Sequence, residues 1–155
     1  ISGIMDFDRF GVLSEPGLEP ELIRELVHIA HAEGFSVMAH ANGARTVEAA
    51  AAAGVDSIEH GAYLDGDAMQ AMRENGTVWC PTLSAIGNLR GTGRFDEDAV
   101  SRIYESSVEA ALMIVDALQK QGYRFVTVRE LMELQGVTPG AGELYRSPTK
   151  PGRGY

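Results

Sequence analysis

The chain has 155 residues, 45% of them hydrophobic, which is enough for one domain with a real core and too much for a disordered chain. A net charge of −9 and a pI of about 4.8 argue against a phosphate-backbone partner. No apolar run approaches the ~18 residues of a membrane span, and a single cysteine, Cys80, excludes an internal disulfide and fits a reducing cytoplasm.

The chain opens at Ile1, and Ile1–Ile4 reads as the end of a strand already under way, so the polypeptide is expected to begin upstream. Met5–Pro20 carries Gly11, Pro16, Gly17 and Pro20 and reads as loop. A helix follows, with Glu19 and Glu21 suiting its positive end and Leu22, Ile23, Leu26, Val27 and Ala30 at helical spacing. Gly34 ends it and Phe35–Ala39 reads as the first full strand. Ala44–Ala53 is the next helix and Val55–Glu59 the next strand. Asp67–Glu74 is a third helix, closed by Asn75-Gly76, and Thr77–Cys80 a third strand, broken by Pro81. Ser84–Arg94 reads as loop, Asp96–Gln121 as a long helix, Tyr123–Val128 as a fourth strand and Arg129–Leu134 as a short helix. The glycine- and proline-rich Gly136–Tyr155 reads as an irregular tail beyond a domain of residues 1–135.

Gly34, Gly54 and Gly76 stand 20 and 22 residues apart, and each closes a helix and opens a strand. That is an internal repeat with the period of a βα unit. Apolar strands separated by helices indicate a parallel sheet buried on both faces. The expected class is α/β: an incomplete (β/α)8 barrel of about four βα units with parallel strands. Two strands meet histidines at their carboxyl ends, His40 and His60, and sites in parallel α/β folds lie at that end.

MAHANG (38–43), AGVDSIEHG (53–61) and CPTL (80–83) resemble the metal-dependent amidohydrolase superfamily, in its imidazolonepropionase-like and prolidase-like branch. The resemblance covers residues 1 to about 110. It implies a (β/α)8 barrel with one or two divalent metals, usually zinc, and hydrolysis of a C–N bond in a small-molecule amide, cyclic amide or dipeptide. On it, His40 and His60 are metal ligands at the ends of strands five and six. Thr82 ends strand seven at the same mouth, as a substrate contact, and Gly3 sits just beyond strand four.

The chain departs from the family pattern in three places. The His-x-His pair of strand one is absent, the bridging lysine of strand four would fall before Ile1, and no Gly-Thr/Ser-Asp follows the helix starting at Asp96. Instead QGYRFVTVRELMELQGVTPG (121–140) resembles the end of polysaccharide deacetylases, without paired aspartates or His-x3-His, and a join is expected near Val108–Leu112. No catalytic residue is assigned. The expectation is a truncated or chimeric form that holds metal weakly and has little activity. The alternatives are a non-catalytic domain that self-associates to complete a barrel, and a deacetylase-related fragment.

Each candidate has a plainer reading. A strand-end histidine is often structural. Asn42 either contacts substrate or caps the helix after Gly43. His28 and His31, three apart on a helix, read as solvated or packing residues, and Asp6 and Asp8 as solvated loop charge. Cys80 reads as buried packing. Glu59 precedes His60 and is expected on the opposite side of its strand.

Overall fold

The computed structural model describes residues 3–138, 140, 145–147 and 150–151. The element order is β1 (Ile4–Met5), β2 (Leu13–Glu15), α1 (Pro20–Ala32), β3 (Met38–Ala41), α2 (Ala44–Ala52), β4 (Ser57–His60), α3 (Gly66–Asn75), β5 (Val78–Cys80), α4 (Leu83–Gly87), α5 (Glu97–Lys120), α6 (Val128–Leu134), β6 (Tyr145–Ser147) and β7 (Lys150–Pro151). Two compact units divide it, Ile1–Met113 and Ile114–Tyr155. Among the described residues, no helix is long and apolar enough to cross a membrane.

The first unit is built on a parallel sheet in the order β3-β4-β5, an open piece of barrel wall. The register aligns Ala39 with Ile58 and Ile58 with Trp79. Successive side chains of a strand alternate between faces. One face therefore carries Ala39, Ile58 and Trp79, and Ile23 and Val27 of α1, Val47, Ala50 and Ala51 of α2, and Ala68 and Met72 of α3 join the first two in one buried core. The alanine-rich α2 has little side-chain bulk, which lets it lie close. Asp65 caps α3 by accepting from Ala68 N at 2.9 Å, and Gly76, with φ of 67°, closes it. The other face is open: Met38 is 65% and Val78 62% exposed. The strands are thus buried on one face, not on both as their apolar character implied.

A second core lies beyond the carboxyl ends of the strands. Met5 of β1, Ala62 after β4, Ile86 of α4 and Val100 and Ile103 of α5 form it, with Phe7, Phe10, Leu13 and Tyr63 packed around. The long helix thus buries its first turns against the loops at the strand ends.

Several elements differ from the sequence expectation. β3 starts at Met38, not Phe35, because Val37 N–H goes to the Asp56 carboxylate at 2.7 Å and not into a ladder. The segment read as loop from Met5 contains β2, paired antiparallel to β1, a ladder too short to announce itself. Ile1 and Ser2 lie outside the described residues. Ser84–Arg94 begins inside α4, which buries Ile86.

Tyr123–Val128 forms no strand, so the parallel strands number three among the described residues. Thr127 there caps α6 in a reciprocal arrangement with Glu130, the Thr-x-x-Glu signature of a helix start. In the second unit α6 buries Met132, and β6 and β7 pair antiparallel within the stretch read as an irregular tail.

Candidate metal centre

The parallel register places Ala41 opposite His60 and His40 opposite Glu59, and Glu59 opposite Cys80. His40, Glu59 and Cys80 therefore form one row on the open face. His60 stands one residue further and, on a regular strand, would point away from that row. Its backbone leaves the strand with φ of 71°, a left-handed conformation rare outside glycine. Trp79 holds that turn by donating Nε1–H to His60 O at 2.9 Å, while Gly61 N donates to Ala41 O at 3.0 Å. A Cβ at Gly61 would come within 2.5 Å of Trp79 Nε1, so glycine is required there. The turn brings the two rings together: His40 Nδ1 and His60 Nε2 are 2.9 Å apart, with centroids 5.0 Å apart and planes at 30°.

The remaining nitrogen of His60, Nδ1, makes a short hydrogen bond with Thr82 Oγ1. Thr82 also has positive φ, 43°. A β-branched residue there carries backbone strain on the order of 1–3 kcal/mol, and such strain concentrates where a side chain must be aimed. Burial, and then the neighbouring His40, hold His60 below the usual imidazole range, while Glu59 opposes the shift. The ring therefore stays neutral at ordinary pH, which is the form that binds a metal.

Asn42 is buried, and both ends of its amide are taken: Nδ2 donates to Gly3 O at 2.9 Å and Oδ1 accepts from Ala62 N at 3.0 Å. It does not cap α2, whose N-cap is Gly43 without a side-chain bond. It pins the loop after β3 to the segment before β1 and to the loop after β4. Gly3 sits under it, with no room for a Cβ against Asn42 O.

Cys80 is exposed, not buried, because it falls on the open face of a three-strand sheet. Glu59 shares that face, since the break in alternation belongs to His60. Burial and then the Glu59 carboxylate push the Cys80 thiol up. Asp6 and Asp8 are not free loop charge: Asp6 pairs with Arg9, and Asp8 Oδ1 accepts from Asp96 N at 2.8 Å just before α5. His31 bonds Asp56 at 2.9 Å, so it does not pair with His28.

Trp79 was not singled out in the sequence. Its signal was available only in retrospect, as the aromatic residue opposite the His-Gly turn.

A cavity of about 230 Å³ opens beside the two histidines, with Ile4, Met5, Phe7 and Ile86 among its walls. A zinc ion takes about four ligands at ~2.0–2.1 Å from nitrogen, which sets its nitrogen ligands ~3.3 Å apart. His40 Nδ1 and His60 Nε2, 2.9 Å apart, need to part only slightly to share one ion. Thr82 would then hold the other nitrogen of His60, as partners of metal-binding histidines do. Among the described residues no set of three His, Cys, Asp or Glu side chains stands ready for a metal, so the donors fit half of a site.

The amidohydrolase family model matches residues 3–132, running past the join expected near 108–112. The structure is similar to a Xaa-Pro dipeptidase crystallised with methionine in its active site: TM-score 0.56 and 31% identity over 64% of this chain and 26% of that one. It is also similar to a prolidase complexed with N-methylphosphonate-L-proline, with TM-score 0.58 and 28% identity over 67% of this chain and 27% of that one. An ochratoxinase of A. niger, TM-score 0.62 at 23% identity over 75% of this chain and 28% of that one, shares the fold. An uncharacterized protein of Mycobacterium tuberculosis is 35% identical over 71 residues, 46% of this chain and 19% of that protein. The chain spans about a quarter of the length of the solved structures and a fifth of the curated relative. By the extent of the family match, the chain belongs to the amidohydrolase family.

Proposed function

We propose that His40 and His60 are two ligands of a divalent metal, zinc by preference, in a site for hydrolysing a C–N bond of a small-molecule amide, cyclic amide or dipeptide. One observation carries this reading: the two rings converge at the carboxyl ends of adjacent parallel strands, and Thr82 fixes the outer one. A bound divalent ion supplies Lewis-acid chemistry toward an amide carbonyl and water. The chain's own residues do the rest. Thr82 holds the outer nitrogen of His60, Trp79 and Gly61 fix its direction, and Asn42 ties together the loops that frame the cavity. With two of about four ligands, the chain holds metal weakly and turns over little substrate by itself. We place it in a reducing cytoplasm, in keeping with an exposed, unpaired Cys80.

A cobalt(II) titration followed by visible absorption tests this. The expected result is weak binding of one ion per chain, lost in His40→Ala and in His60→Ala. Binding that survives both substitutions would remove the assignment.

A second reading, a domain that self-associates to complete a barrel, is favoured by the exposed Met38 and Val78 and the two unpaired sheet edges. Light scattering separates it from the first: a concentration-dependent dimer without metal supports it.

A further inference from the structure

We infer that the cavity beside the histidine pair selects an uncharged aryl or branched alkyl group on the substrate and rejects a carboxylate or ammonium there; this rests on the reading of the site above. Its walls come from three places: Ile4 and Met5 of β1, Phe7 after it, and Ala85 and Ile86 of α4. Among the described residues, no Asp, Glu, Lys or Arg lines it.

The polar side chains that line it stand at one end. Asn42 donates one N–H to Gly3 O and accepts from Ala62 N, and His40 and His60 lie beside it. A charged group in the apolar end would lose part of its hydration and find no charged partner among the described lining residues. The net charge of −9 works further against an anion.

The size sets the class. An apolar cavity of about 150 Å³ takes benzene, so about 230 Å³ takes one ring and a short amide. The carbonyl then lies toward His40 and His60, and the ring toward Phe7 and Ile86.

The test compares benzamide with 4-carbamoylbenzoate, the same ring carrying a carboxylate, by saturation-transfer NMR and calorimetry on the full chain in chelator, so that no metal or turnover is needed. We expect benzamide to bind at least tenfold more tightly than the carboxylate. Ile4 is 46% exposed on a short strand, so Ile4→Lys is tolerated by the fold and places a cation at the wall. That variant should narrow or reverse the preference, and Ala85→Phe, which narrows the mouth, should weaken both probes. Equal or tighter binding of the carboxylate, no binding of benzamide, or an unchanged ratio in Ile4→Lys would overturn the inference. The cobalt titration reads the metal assignment separately: benzamide bound by a chain that ignores cobalt would retain this selectivity and remove only the metal.

Discussion

The two faces of the β3-β4-β5 sheet are made by alternate residues of the same strands, yet they do different things. Ala39 and Ile58 are sealed under α1, α2 and α3. Met38, His40, Val78 and Cys80 stand in the open one position away. The covered face stabilises the fold through burial, at about 25 cal/mol per Å² of apolar surface. The open face carries His40, Glu59 and Cys80, with the strand ends above it. In a closed barrel that face would line the interior. On the proposed function, stability and chemistry are therefore separable here by a step of one residue along a strand.

The sharpest way to break this comparison is to truncate one residue on each face. Ile58→Ala should cost about 3 kcal/mol by removing a fully buried side chain that the helices cannot collapse onto. Val78→Ala, on the open face, should change stability by less than about 0.5 kcal/mol. Urea unfolding of both variants checks it, and equal losses would mean that something covers the open face in solution.

Asn42→Ala probes the loops between the two regions. It leaves Gly3 O and Ala62 N without their partner, so a loss of about 2 kcal/mol is expected in the same unfolding experiment. A near-neutral result would show that water replaces the amide.

The histidine row can be sharpened without touching the core. Thr82→Val keeps the shape and removes the hydroxyl that holds His60. Outer partners of metal-binding histidines typically change affinity 10–100-fold, so cobalt affinity should fall by at least tenfold while the unfolding midpoint stays nearly constant.

The smallest effect is at the bottom of the sheet, where the Val37 N–H and then His31 hold the Asp56 carboxyl below its usual range. A depressed carboxylate contributes stability above its unfolded value of about 3.8, and that contribution is lost as the pH falls through the lower folded value. Asp56 is largely exposed, so Asp56→Asn should cost no more than about 1 kcal/mol at pH 7 and flatten the acid limb of the stability curve. An unchanged acid limb would show that the pair is not formed in solution.

These contrasts also show what could be read from the residues alone. The repeat of Gly34, Gly54 and Gly76 announced three βα units, because helix stops and strand starts are local chemistry. His40 and His60 were legible as a pair for the same reason, since each follows one repeat by the same spacing. What the sequence could not convey was the set of distant side-chain bonds that hold the site. The left-handed turn at His60 depends on Trp79, nineteen residues away, and the role of Asn42 on Gly3, 39 residues away. Cys80 is exposed where packing was expected because burial depends on how many strands flank it, and Glu59 shares the face of the histidine row because His60 leaves the strand alternation. Tyr123–Val128 looked like a strand by composition, but Thr127 and Glu130 commit its end to a helix cap.

The central claim is that His40 and His60 act together on one ion. Long-range nitrogen–proton NMR of the histidine rings during zinc addition tests it most directly. The His40 and His60 signals are expected to move together up to one equivalent, with His28 and His31 unmoved. Zinc that shifts the rings of His28 or His31 first, or moves His60 without His40, would contradict it.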